Sequence, residues 1–178
     1  MAMGGTKSIK EYKDVIKGKT WVFPDNVNTD EISPSKYLDD LKATLEHTCE
    51  TIIREFPQQV KEGDIIIAGK NFGCGSSRET APIIFQEKGI AAIVAESFAR
   101  IFYRSSIARA LPILEVEGIA KEFQTGDEVE INIPKAEVIN KRTGKTFIGK
   151  KLHPILLNIL KQGGLERMLL EELKQKNR

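Results

Sequence analysis

Eleven consecutive residues, Gly69-Lys70-Asn71-Phe72-Gly73-Cys74-Gly75-Ser76-Ser77-Arg78-Glu79, gather much of the chemistry this chain could perform. Glycines 73 and 75 let the backbone turn sharply and approach a ligand closely. Ser76 and Ser77 offer two hydroxyls. Arg78 offers a planar fork that can hold a carboxylate by two hydrogen bonds. If the segment opens a helix, its free N–H groups add attraction for an anion. Together these groups suit a small anionic substrate. The same residues have a plainer use, because Ser76 with Glu79 three positions on matches a capping box. Pro82 bears on the choice. With Ser76 as the cap, Pro82 would fall beyond the first turn, where its ring and missing N–H are costly. A helix beginning near Glu79 or Thr80 suits Pro82 better and leaves both serines in the loop. Spacing alone leaves anion binding and capping both open. The phosphate-binding patterns are incomplete: the Walker loop ends in Gly-Lys-Ser/Thr, and here Arg78 also stands where the dinucleotide pattern needs its third glycine.

Two further groups of polar residues are candidates. Asp25-Asn26-Val27-Asn28-Thr29-Asp30-Glu31-Ile32-Ser33-Pro34 is rich in residues that populate turns, and Val27–Pro34 reads as a polar loop. Arg100 and Arg104 lie four apart, on one helical face. Spacing alone reads them as a solvated basic face. Cys49 and Cys74 are the only cysteines, and His47 and His153 the only histidines. Two cysteines cannot hold an iron–sulfur cluster, which usually needs three or four, and the histidines have no ligand spacing. No metal is assigned to this chain, and Cys74 reads as a small loop filler.

The elements around these residues follow from hydrophobic pattern. Thr20–Phe23 is β-prone and stops at the turn cluster Pro24-Asp25-Asn26. Leu38–Glu55 carries apolar residues at spacings of three and four and predicts an amphipathic helix. Asp64–Ala68 is a strand of the buried type, and the glycine-rich loop follows it. A helix then runs to Lys88-Gly89, where Gly89 suits a left-handed cap. Ile90–Ala95 predicts a strand, Phe98–Arg109 a helix and Pro112–Val116 a strand. This order predicts parallel βαβ units covered on both faces. It also puts the glycine loop at a strand's carboxyl end, where open α/β sheets bind ligands. Beyond Gly118, Glu128–Ile133, Val138-Ile139 and Thr146–Ile148 predict an antiparallel section, with Thr143-Gly144 in a turn. Pro154–Leu160 and Leu165–Leu173 predict two terminal helices parted by Gly163-Gly164.

The 178 residues fit one compact α/β domain. Residues 1–17 are expected to form a flexible basic arm and 150–178 a helical tail. The net charge of +2 is too small to imply nucleic acid. No apolar run approaches the roughly 20 residues that span a bilayer. No secretory signal is visible, and a reducing cytoplasm is expected.

Taken in order, these segments resemble the swivel domain of the aconitase superfamily, and within it the stand-alone small subunits of isopropylmalate isomerase and homoaconitase. The resemblance runs from about Lys19 to Leu170. It is carried by Asp25–Asp30, by Gly69–Glu79, by Ala95-Glu96-Ser97-Phe98-Ala99-Arg100-Ile101-Phe102-Tyr103-Arg104, by Leu111–Glu115 and by Gly163-Gly164-Leu165. It implies a swivelling β/β/α fold of the aconitase C-terminal or small-subunit type. It also implies a heteromeric hydro-lyase whose large subunit carries a [4Fe-4S] cluster. Ser76 would be the catalytic base, and Ser77, Arg78, Thr29, Asp30 and Ser33 would bind a hydroxy diacid substrate. The segment holding Tyr37, Leu38, Asp39 and Asp40 would select the substrate's variable side chain. It has no arginine for an extra carboxylate, and Leu38 suits an isopropyl group. Isopropylmalate is therefore the expected substrate, with homoaconitate and dimethylmalate as alternatives. Thr80, where many relatives have histidine, and Ser105-Ser106, where many are rich in asparagine, depart from the pattern. An RNA-binding regulator and a free-standing anion- or nucleotide-binding module are the readings of another class. The weak net charge opposes the first, and the incomplete phosphate motifs oppose the second.

Overall fold

The computed structural model describes residues 11–76 and 80–176. One seven-stranded sheet organises them, in the order β4-β3-β2-β1-β5-β6-β7. The long strand β1 (Val15–Phe23) joins its two halves. Residues Thr20 to Phe23 pair in parallel with β2 (Ile65–Ala68), and Val15 to Lys19 pair antiparallel with β5 (Glu128–Asn132). β1 thus begins three residues inside the stretch expected to be an arm. β3 (Ala92–Ala95) and β4 (Ile113–Glu115) extend the parallel half. β6 (Glu137–Asn140) and β7 (Thr146–Ile148) extend the antiparallel half.

Every residue of β2 and β3 is buried, as uninterrupted Ile/Val/Ala runs require when both faces are covered. The crossover helices α4 (Thr80–Glu87) and α5 (Arg100–Ala108) touch each other. Successive right-handed crossovers running one way across a sheet place their helices on one face, which accounts for that contact. The 3-10 turn at Ile119–Glu122 packs against β2 and β3. β5 and β6 alternate, burying Val129, Ile131 and Val138, so the antiparallel section has one wet face. The terminal helices α6 (Pro154–Lys161) and α7 (Leu165–Lys176) close on α5. No helix among the described residues is long and apolar enough to cross a membrane.

Two expectations are corrected. Val27–Pro34 is not a plain loop: it holds the short helix α1 (Thr29–Ile32). Asn28 caps it, its side chain accepting from the Asp30 and Glu31 amides while Glu31 accepts from the Asn28 amide at 2.9 Å. This is a full capping box built on asparagine. Leu38–Glu55 is not one helix either. α2 spans only Leu41–His47, and after an irregular stretch α3 takes Phe56–Gln59. The break has a tertiary cause. The Thr48 hydroxyl donates to Ile32 O at 2.7 Å, and the Cys49 amide donates to Glu31 O at 2.8 Å. Carbonyls of α1 that lack intrahelical donors thereby gain partners. Thr48 leaves the helical path with a ψ of 128°, and Cys49 follows with a φ of 56°.

Candidate functional site

Three loops leave the carboxyl ends of β1, β2 and β3 and are sewn together by backbone hydrogen bonds. The Asn26 amide donates to Lys70 O at 2.8 Å, and the Gly73 amide to Val27 O at 2.8 Å. The Thr29 amide donates to Cys74 O at 2.8 Å. The third loop joins through Phe72, whose amide donates to Ser97 O and whose carbonyl accepts from the Ala99 amide. Side chains reinforce the seam. The Asp25 carboxylate accepts from the Lys70 amide at 2.7 Å, and the Ser97 hydroxyl accepts from the Asn71 amide at 2.8 Å. The glycine-rich loop is therefore held on both sides over Lys70–Cys74.

Beneath the loop, Phe72 is fully buried and packs edge-on to Phe23, Phe98 and Phe102, with ring centroids 5.4 to 6.2 Å apart. Gly73 takes a φ of 79°, and a Cβ there would strike the Phe102 ring. Only glycine lets α5 approach the loop this closely. Gly75, with a φ of 98°, turns the chain out toward Ser76, with Thr29 and Asn28 at ordinary contact distance from where a Cβ would stand.

The loops enclose a cleft of about 270 Å³ lined by Thr29, Gly73, Gly75 and Ser76 on one side. The first residues of α5, together with Ala99, form the other side. Ser76 is exposed at this cleft, while Thr29 is buried and donates its hydroxyl hydrogen to Ser76 O at 2.8 Å. Helix α1 thus fixes the backbone that carries Ser76. Among the described residues the lining contains no acid, and Arg100 is its one charged residue. The described part of the cleft thus offers an anion one cation and the Ser76 hydroxyl.

The other expected site residues lie around this cleft. Ser33 is buried under α1, its hydroxyl 3.5 Å from that of Thr80. Asp30 is exposed and accepts from the Ser35 amide. Neither lines the cleft. Tyr37 stacks on His47 at 4.4 Å, with Lys36 over its ring at 4.5 Å. His47 is in turn 2.8 Å from Glu50. Leu38 is 42% exposed and Asp39 is exposed. Asp40 caps α2 through the Ala43 amide at 3.0 Å, so its carboxylate has a structural partner. Ser77, Arg78 and the capping option through Glu79 lie outside the described residues.

Arg100, read from spacing as part of a solvated face, is exposed and also borders the cleft. The signal for that place was its position just beyond Ser97-Phe98-Ala99, at the carboxyl edge of β3. Among the described residues no group of three or more His, Cys, Asp or Glu could hold a metal. Cys49 is sealed in the core, where burial pushes its thiol up to about 12. The Cys74 sulfur faces the Asn26 carbonyl at 3.4 Å. These two cysteines do not fit the ligand set of an iron–sulfur cluster.

The aconitase C-terminal domain profile matches residues 17–118, which contain all three loops. The chain belongs to the aconitase C-terminal domain family. A relative from Thermodesulfovibrio yellowstonii named 3-isopropylmalate dehydratase small subunit is 46% identical over 166 residues, covering 89% of this chain and 99% of the relative. One from Methanocaldococcus jannaschii, named isopropylmalate/citramalate isomerase small subunit, is 44% identical over 165 residues, covering 90% and 97%. The crystal structure of 3-isopropylmalate dehydratase from Methanocaldococcus jannaschii superposes with a TM-score of 0.84 at 41% identity, covering 92% of this chain and 98% of that one. Both the swivel-domain fold and the small-subunit resemblance read from the motifs agree with these matches. The aconitase-family chain is thus near full length relative to its small-subunit relatives.

Proposed function

We propose that this chain is the small subunit of a 3-isopropylmalate dehydratase, a hydro-lyase that moves a hydroxyl between neighbouring carbons of a malate-type diacid. The observation that carries this reading is identity at 46% along 99% of a relative of that name. The cleft supports it, because a half-open cleft lined by two loops and the start of α5 suits a site that a large subunit completes.

In the dehydration half, a base removes the proton from the carbon beside a carboxylate. The C–H electrons become the C=C bond, and the neighbouring hydroxyl leaves as hydroxide, which with the proton taken by the base makes up the water lost. In the hydration half, water returns to the other carbon. Ser76, exposed at the cleft, is the proposed base. A serine hydroxyl is a weak base at its ordinary pKa, so its anion needs stabilisation from nearby cations and N–H groups. Arg78 would hold a substrate carboxylate, and Ser77 would donate a hydrogen bond to it. Thr29 anchors the Ser76 backbone. Asp30 and Ser33 support the rim, and Tyr37 to Asp40 border the variable end of the substrate. The four-iron cluster implied by the family resemblance would sit on the large subunit and supply the Lewis acid. This chain's share is proton handling and carboxylate binding, in a heteromer of the cytoplasm.

A second substrate is favoured by the relative named for both isopropylmalate and citramalate. Both can be compared after anaerobic co-purification with the large subunit, by hydrating 2-isopropylmaleate, citraconate, dimethylmaleate and homoaconitate. The exposed Leu38 and Leu41 and the absence of an arginine in that segment predict that the short alkyl diacids turn over fastest. Fastest turnover of homoaconitate would contradict the choice.

A further inference from the structure

We infer that His47 is a positioning residue for substrate choice: its ring holds Tyr37, and through Tyr37 the segment up to Asp40, on the frame that carries Ser76. The inference rests on the reading above in which that segment borders the variable end of the substrate.

The segment needs a hold from outside itself. It begins in a 3-10 turn, Ser35–Tyr37, which has no buried residue and no side-chain cap at Pro34. Hydrogen bonds pin the backbone at the two ends of this turn. The Ser35 amide donates to the Asp30 carboxylate at 3.2 Å, and the Thr44 hydroxyl donates to Tyr37 O at 2.7 Å. These bonds fix the path of the chain and leave its side chains to other contacts. The Tyr37 ring stacks on that of His47, with centroids 4.4 Å apart and planes 12° from parallel. Lys36, 4.5 Å over the same Tyr37 ring, belongs to the turn and moves with it.

His47, by contrast, is tied to the cleft. It is half-buried at the end of α2, and Glu50 lies 2.8 Å from its Nδ1 and orients the ring. The next residue, Thr48, donates to Ile32 O at 2.7 Å, and the Cys49 amide donates to Glu31 O at 2.8 Å. Both carbonyls belong to α1, which holds the Ser76 backbone through Thr29. The chain thus leaves α1, makes the turn, and is bolted back to α1 just past His47. Loss of the His47 ring would leave both ends of the turn pinned and free Tyr37 beside Leu38. An isopropyl and a methyl group differ by two carbons, and a fixed apolar wall reads such a difference at about tenfold or more per carbon. A wall that moves reads less of it.

The test uses the co-purified complex. KM and kcat for 2-isopropylmaleate and for citraconate are measured for wild type, His47→Ala, His47→Phe and Leu38→Ala. His47→Ala should lower kcat/KM for 2-isopropylmaleate relative to citraconate by about threefold or more, as loss of one stacked pair implies. The change should lie in KM for 2-isopropylmaleate, with kcat on citraconate within about twofold of wild type. His47→Phe keeps a ring against Tyr37 and should restore most of the preference. Leu38→Ala should narrow the preference as well. Equal losses on both substrates in His47→Ala, with the preference still shifted by Leu38→Ala, overturn the inference and leave the segment's role standing. So does a His47→Phe complex no better than His47→Ala. A preference untouched by Leu38→Ala and His47→Ala alike overturns the segment's role and this inference together. A wild-type complex inactive on both diacids overturns the hydro-lyase reading itself.

Discussion

At the scale of the residue, the account turns on which side chains are free to react and which are committed to structure. Ser76 is exposed and Thr29 holds its backbone, so Ser76→Ala should leave the fold intact while removing the proposed base. Circular dichroism and thermal unfolding should match wild type within about 0.5 kcal/mol, the usual range for a surface change. The cysteines divide in the same way. Cys49 is fully buried, and its thiol is pushed up to about 12 by desolvation. The thiolate is the reactive form. Alkylation of the native chain at pH 8 should therefore modify half-buried Cys74 first and reach Cys49 only on unfolding. Mass spectrometry of the labelled peptides checks this, and early labelling of Cys49 would mean that the core opens there.

At the scale of the element, the glycine loop should be most sensitive where it meets α5. Gly73→Ala would place a Cβ against the Phe102 ring at a φ of 79°. It should cost about 1–3 kcal/mol or more in thermal unfolding, from overpacking added to backbone strain. Gly75→Ala meets nothing closer than Thr29 Oγ1 at 3.4 Å, so it should cost only the strain, about 1–2 kcal/mol. Equal losses would mean that α5 is not locked to the loop as described. The contrast also marks what the sequence could disclose. Ile65-Ile66-Ile67 and Ala92–Ala95 announce buried parallel strands through their own composition, and the glycine loop between them follows. α1 was harder to see, because it is only four residues long and because Thr29 and Ser33 are polar yet buried. The break after α2 was invisible. Leu45, Cys49, Ile52 and Ile53 keep helical spacing, and the competing hydrogen bonds come from Glu31 and Ile32, far upstream. The cleft beside Arg100 was hidden for a related reason. Its surroundings come from loops distant in sequence, and spacing within one helix carries no record of them.

At the scale of the whole molecule, β1 couples a parallel half that builds the cleft to an antiparallel half that supports it. Asp127 secures the latter, accepting from Arg142 at 2.7 and 3.1 Å and from the Gln124 amide at 2.9 Å. The Arg142 hydrogen bonds, with help from the Gln124 amide and Asn140, hold its carboxyl below the ordinary carboxylate range. A carboxyl lowered on folding stabilises the fold above its unfolded value, about 3.9, and that stability is lost as pH falls through the folded value. Asp127→Asn should therefore flatten the acid limb of the stability–pH curve and cost about 1–3 kcal/mol at neutral pH. Urea unfolding across that range checks both. In the proposed assembly a large subunit completes the half-open cleft, which has Ser76 on one side and Arg100 on the other. The most direct measurement is hydration of 2-isopropylmaleate by the anaerobically co-purified pair, compared with each chain alone and with a pair carrying Ser76→Ala. The account predicts turnover only from the pair, falling about a hundredfold or more when the serine is removed. Undiminished turnover in the Ser76→Ala pair, or turnover by the large subunit alone, would contradict it.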